Sequence, residues 1–279
     1  MKLKTIIIQI VKYVVLVMGT FLALLPLVTV LFASFKTAQE YATTSPLAIP
    51  SHLFTYWENY IIAWRKARMT LAFRNSFFII VFTLLGSILT GTMIAYVIQR
   101  FDFRGRLLLR NVFLLANLIP GVTMQVGTYK IMSNLHMVNS IPGLIILYTG
   151  TDIIAIYIFL QYFDSIPRSL DDAAIIDGCS YIKIFFKILL PLMKPAIVTV
   201  MILKGVSSYK EFYMANLYLQ TRTKYVTIST SLYTFTGEYG NQYNYICAGV
   251  IITILPALVL FLFLQKYIYN GIANGAVKE

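Results

Sequence analysis

The chain alternates long apolar runs with short polar or basic interruptions, and the lengths of the runs decide what they can be. Residues 13–35 are almost entirely apolar. About 20 such residues cross a bilayer core, whereas the apolar heart of a cleaved signal peptide has about 7–15, so this run reads as a retained first span. Runs over 75–97, 141–163 and 246–264 predict three more spans. Residues 107–130 predict another, interrupted at Pro120-Gly121, and residues 195–210 one that is short unless it begins in the apolar stretch before it. The pattern predicts an all-α integral membrane protein with six transmembrane helices, a single domain over 1–279 with its core at about 70–268.

The interruptions give the sidedness. Arg100, Arg104, Arg106 and Arg110 fall in one short turn, the clearest cytoplasmic mark in the chain, because basic residues collect in short inside loops. Counting spans from that turn places both termini and residues 166–195 in the cytoplasm. Arg65, Lys66, Arg68 and Arg74 run against this sidedness, which the charge count alone does not settle, since the rule is weak for the long segment before the second span. That segment, 36–73, carries Pro46, Pro50 and then aromatic and basic residues suited to a water–lipid interface. A turn with His136 and Asn139, and a Tyr-, Thr-, Gly- and Asn-rich stretch over 211–245, read as the other external connections.

Residues 166–195, IPRSLDDAAIIDGCSYIKIFFKILLPLMKP, are a polar interruption that reads as two short helices. Pro167 suits a first helical position, and Asp171 and Asp172 then complement the positive helix end. Gly178 can close that helix in the left-handed conformation, and Ser180 can cap the next. In the second helix Ile182, Phe185, Phe186 and Leu189 recur at i, i+3, i+4, i+7, the stripe of a helix lying on a membrane face or a partner.

Composition agrees with the apolar pattern: 58% of residues are hydrophobic and only 12% charged. The net charge of +12 is spread among loops rather than concentrated on one arm, which argues for topology and against nucleic acid. The two cysteines, Cys179 and Cys247, are expected toward opposite faces, so no disulfide is implied. No GxxxxGK[ST] phosphate loop, HExxH or Cys/His cluster is present, so the sequence offers no catalytic residue, no metal site and no ATP site of its own. A membrane-embedded hydrolase or transferase would need a cluster of acid, base and nucleophile that cannot be assembled here.

Polar residues within the spans can line a path. Asn117, Gly121, Gln125 and Thr128 share one face if 107–130 is a continuous helix, a face that serves hydrogen bonding between helices or contact with a solute. Tyr148 and Asp152 are i, i+4 neighbours. A carboxylate at that depth either faces a wet cavity or pairs with a group on another helix. Ser207, Ser208, Tyr209 and Glu211 form a further polar group near the outer end of the fifth span.

The order Asp172-Ala173-Ala174, then Asp177-Gly178, Phe185 and Leu190-Pro191 resembles the EAA loop of binding-protein-dependent ABC importer permeases, and more narrowly the maltose-type carbohydrate permease subunit. The landmarks FDFRGR, LIPG, SIPRSLDDAAIIDG, EF at Glu211-Phe212, GEYG and the terminal GIANGAVK follow in the family's order from about residue 55. Asp172 stands where the family usually has Glu, keeping the charge on a shorter arm. The resemblance implies that Asp172, Ala173, Ala174, Asp177, Gly178, Phe185 and Pro191 form a cytoplasmic coupling element that docks on an ATP-hydrolysing subunit. It also implies a homologous second permease, two ATPase subunits that bind ATP and Mg, and an extracytoplasmic solute-binding protein met by Gly237, Glu238, Tyr239 and Gly240. The cargo implied is a sugar, of di- or oligosaccharide size. A polyamine, phosphate or peptide permease would share the coupling loop. Within such an importer Asn117, Gln125, Tyr148, Asp152, Ser207, Tyr209 and Glu211 are the candidate substrate pathway, and the chain itself needs no cofactor.

Overall fold

A computed structural model describes residues 2–116, 118–150, 152–237 and 240–276, with the side chains of 2–5, 114, 264 and 266–276 outside the description. In chain order the elements are α1 (Lys2–Ser34), α2 (Ala38–Thr43), α3 (Glu58–Lys66), α4 (Met69–Arg100), α5 (Arg106–Ala116), α6 (Gln125–Asn134), α7 (Ile141–Gly150) and α8 (Ile153–Asp164). Then come α9 (Ser169–Ile176), α10 (Tyr181–Ile184), a π-helical turn (Phe185–Leu189), α11 (Leu190–Leu192), α12 (Lys194–Lys210), α13 (Tyr213–Tyr218), α14 (Arg222–Tyr225) and α15 (Ile228–Ser231). A 3₁₀ turn (Leu232–Phe235), strands β1 (Thr236–Gly237) and β2 (Gly240–Asn241), and α16 (Tyr243–Ala276) complete the chain. The fold class is the all-α membrane architecture expected from the apolar runs.

Among the described residues, three helical stretches are each long and apolar enough to cross a membrane: Ile6–Ser34, Met69–Arg100 and Tyr243–Phe263. Two bent pairs pass the same test, Ile141–Gly150 with Ile153–Asp164 at 45°, and Tyr181–Leu192 with Lys194–Lys210 at 72°. In the second pair the apolar residues before the short fifth span meet it across a sharp bend. Residues 107–130 behave differently from a single span: α5 ends at Ala116 and α6 starts at Gln125. Pro120 lacks an N–H and disfavours helical backbone at the residue before it, so the ladder stops there.

The contacts divide into two compact units, Met1–Thr70 with Ser231–Leu258, and Leu71–Thr230 with Val259–Glu279. In the first, Phe35 is the buried centre of an aromatic group with Phe54, Trp57 and Tyr60, ring centroids 5.2–5.3 Å away. Asn59 donates to the Ser34 and Lys36 carbonyls at 2.9 and 2.7 Å, and Asn244 donates to Asn59 at 3.0 Å. Lys36 is fully buried, its ammonium donating to Thr44 Oγ1 at 2.9 Å and the Ser45 carbonyl at 2.7 Å. What the sequence suggests is an interfacial loop is thus an ordered cover on the end of α1.

Two large apolar clusters lie among the described residues of the second unit. One gathers Tyr96 of α4, Phe159 and Phe163 of α8, Ala174 of α9, Phe185 and Leu189 of the π turn, and Val200 of α12. The other gathers Ile79, Met132, Leu144, Tyr148, Ala215 and Tyr218. The stretch 211–235, expected as loop, folds into four short helical segments. Its position is fixed partly by Asn139, whose backbone N–H donates to the Tyr218 carbonyl at 2.7 Å and whose side chain exchanges hydrogen bonds with Thr221 at 2.8 and 2.9 Å.

Candidate functional site

Residues 166–195 carry the most specific sequence signal in the chain and are the first candidate site. The Leu170 and Asp171 N–H groups bond back to the carbonyls of Pro167 and Arg168, so the helical turn starts at the proline, as its fixed φ favours. Gly178 closes α9 with φ +77°, and the Ser180 hydroxyl accepts from the Lys183 N–H to open α10. Within α9 the two alanines diverge: Ala174 is buried in the first cluster while Ala173 is exposed. Asp172, Asp177, Gly178 and Ile176 share the exposed side, Ile176 being 85% accessible.

The second helix departs from its expected stripe. Phe185 and Leu189 are buried, but Ile182 and Phe186 are exposed, and Ile184 and Met193 take the inner positions. The π turn explains the shift, because its wider coil advances the phase, so residues four apart (185, 189, 193) stay in register. Phe185 lies 5.3 Å from Tyr96, ring to ring, so it positions the loop rather than forming its outer surface. Pro191 is exposed at the start of α11.

Polar ties fasten this loop to the end of α4. Arg100 Nη2 donates to the Ile166 carbonyl at 3.0 Å, and Arg168 Nη2 donates to the Gln99 carbonyl at 2.7 Å. Gln99 in turn donates to the Leu160 carbonyl at 3.0 Å. Arg100 Nε stands 3.0 Å from Asp171 Oδ2. Burial pushes the Asp171 carboxyl above its ordinary value and outweighs the opposing pull of Arg100. Beside this pair lies a cavity of about 220 Å³ lined by Tyr96, Arg100, Phe101, Arg168, Asp171, Asp172, Ile175 and Tyr181.

The polar residues within the spans do not form one face. Asn117 lies outside the described residues, and the residues from 118 to 124 are turns, so Gly121, Gln125 and Thr128 lose the common helical register the sequence suggests. The Gln125 amide is buried, its Nε2 3.2 Å from Met214 Sδ and its Oε1 without a partner among the described residues. Tyr148 and Glu211 come together, lining with Ser76, Ser208, Thr227 and Ser229 a cavity of about 10 Å³. Glu211 is held by the Met214 N–H at 2.9 Å, and its carbonyl accepts from Ser229 at 2.6 Å. Ser207 is exposed, and Tyr209 packs on the cluster of Ala72, Val226 and Ile228.

Asp152 has a partner that the sequence reading missed. Lys204 Nζ lies 3.3 Å from Asp152 Oδ2 and donates to the Tyr148 carbonyl at 2.9 Å. A lysine at the middle of an apolar helix was itself the available signal, since a charge there needs a counter-charge. Gly237 and Gly240 face each other across a two-residue antiparallel ladder, exposed, with Gly240 at φ +125°. Glu238 and Tyr239 lie outside the described residues.

Comparison with known proteins places the chain among transport permeases. The arabinooligosaccharides transport system permease protein AraQ of Halalkalibacterium halodurans is 32% identical over 92% of both chains. The galactooligosaccharides transport system permease protein GanQ of Bacillus subtilis is 32% identical over 96% of this chain and 94% of its own. The trehalose/maltose transport system permease protein MalG of Thermococcus litoralis is 28% identical over 97% and 98%. In fold, the chain matches a crystallised bacterial ABC transporter involved in import of the acidic polysaccharide alginate, with a TM-score of 0.81 and 20% identity, covering 94% of this chain and 96% of that one. Residues 5–273 match the family described as the binding-protein-dependent transport system inner membrane component, and the chain belongs to it: a multi-pass transport protein rather than an enzyme, of the kind that works with ATPase and solute-binding subunits.

Proposed function

We propose that the chain is a permease subunit of an ATP-binding-cassette importer that moves a di- or oligosaccharide across the cell membrane. The observation that supports this best is end-to-end similarity to several permeases named for oligosaccharides. In this reading it pairs with a homologous second permease and two ATPase subunits, which bind the ATP and Mg. An extracytoplasmic binding protein delivers the sugar, and both termini of the permease are cytoplasmic.

The loop 166–195 is then the coupling element. Asp172, Ala173, Ile176 and Asp177 supply the docking face, and Gly178 turns the chain behind it. Ala174, Phe185 and the Arg100–Asp171 pair join that face to α4 and α8, so that the loop moves with them as a lever when the ATPase subunits close on ATP. Tyr148, Ser208 and Glu211 are the strongest candidates for the sugar path, since hydroxyls and a carboxylate match sugar hydroxyls. A cavity of about 10 Å³ holds no sugar, so the path must open in another state of the transport cycle. The hairpin at Gly237 and Gly240 is the candidate contact for the binding protein.

The test is co-purification of the complex and measurement of ATP hydrolysis against binding proteins loaded with mono-, di- and oligosaccharides, a polyamine, phosphate or a peptide. Stimulation by a sugar-loaded protein is expected. Purification of the chain alone in an active form, or stimulation only by a non-sugar solute, would overturn the assignment.

A further inference from the structure

The joint between α7 and α8 leaves backbone groups without intrahelical partners, and in a bilayer each of them needs a replacement. Asp152 Oδ1 accepts from the Ala155 N–H at 3.1 Å and so opens α8. Lys204 Nζ donates to the Tyr148 carbonyl at 2.9 Å, near the end of α7. The same ammonium stands 3.3 Å from Asp152 Oδ2, and both side chains are largely buried. One ion pair, anchored on α12, therefore serves both sides of the joint. The packing around it is tight: a Cβ on Gly86 of α4 would lie 2.7 Å from the Thr149 side chain.

The joint also divides the two halves by what they touch. Below it in sequence, Leu144 and Tyr148 of α7 belong to the cluster beside the small polar cavity. Beyond it, Phe159, Leu160 and Phe163 of α8 pack with Ala174, Phe185 and Leu189 of the coupling loop. Helix α12 connects the same two regions, with Ala196 and Val200 in the coupling cluster and Ser208 on the polar cavity. Lys204 lies between them on that helix.

Resting on the importer reading above, we infer that Lys204 and Asp152 are a positioning pair that locks the α7–α8 joint to α12, so that displacement of the coupling loop reaches the polar cavity at Tyr148. Neither residue needs to touch the sugar for this. An ion pair suits the task because separating buried opposite charges is costly, whereas apolar contacts at the same place could slide. With the pair broken, the end of α7 is released from α12, and movement of α8 is no longer passed on in full.

The experiment uses the whole complex in proteoliposomes and reads sugar moved per ATP hydrolysed. D152N keeps an oxygen for the Ala155 N–H but carries no charge; K204M removes the ammonium; K204R keeps it. D152N and K204M should lower the ratio about ten-fold while binding-protein-stimulated hydrolysis stays within about two-fold of wild type, with K204R close to wild type in both. A wild-type ratio in D152N would overturn the inference. So would parallel loss of both activities with the amount of assembled complex in D152N and K204M, which marks a merely structural pair. A wild-type complex whose hydrolysis does not respond to any binding protein would instead overturn the importer reading.

Discussion

Two residues of the loop proposed to couple to the ATPase show how local chemistry sets its shape. Gly178 sits at φ +77°, and a Cβ added there would meet nothing within 4 Å. The requirement is therefore conformational rather than spatial. Gly178→Ala should cost about 1 kcal/mol and leave most sugar uptake, while Gly178→Val, whose branched side chain fits left-handed backbone poorly, should keep the protein in the membrane but detach or uncouple the ATPase. Uptake and ATPase retained on purification measure both. Asp171 gives a pH effect. Its carboxyl is raised by burial, so its contribution to stability is present below the ordinary carboxylate value and is lost as pH rises through the folded value. Compared with Asp171→Asn, which cannot titrate, the wild type should gain relative stability as pH falls through that range, read by thermal unfolding of the solubilised complex.

Short elements carry the separation between what holds the loop and what it offers. Phe185 is 3% exposed against Tyr96, and Ile176 is 85% exposed on α9. Phe185→Ala should therefore destabilise by about 3–5 kcal/mol and reduce the amount of folded permease. Ile176→Asp should change stability by no more than about 0.5 kcal/mol yet abolish ATPase co-purification. An Ile176→Asp complex that keeps its ATPase and full uptake would remove α9 from the docking surface. The helical periodicity of 182–189 was legible in the sequence, and Phe185 and Leu189 of its stripe are buried, but Ile182 and Phe186 are not, because the π turn changes the number of residues per coil. Likewise Gly121, Gln125 and Thr128 have a helical spacing that Pro120 prevents from being realised as one continuous helix.

Across the whole chain the apolar runs, the arginine turn and the motif at 172–191 were sufficient for the class of protein, since they depend on local composition and short spacing. The candidate sugar path was only partly legible: Tyr148 and Glu211 are 63 positions apart in sequence and meet only in the folded chain. At this scale the C-terminal segment is open to test. Helix α16 continues to Ala276. Removal of residues 271–279 should leave membrane insertion intact but reduce ATPase retention, as the Gly/Ala-rich resemblance to the family tail implies. Unchanged retention and uptake would exclude the tail from the contact.

Sequence by itself determined that the chain is a helical membrane transport protein of the family it matches, because apolar runs and the short motif at 172–191 are properties of neighbouring residues. Only the tertiary structure decided which charges answer one another. Lys36 reads as the start of a polar loop and is buried under it, held by Thr44 and Ser45. Lys204, a basic residue within the predicted fifth span, is paired with Asp152. A charge is tolerated in an apolar interior only with compensating partners, and those partners come from other elements whose positions no local pattern contains.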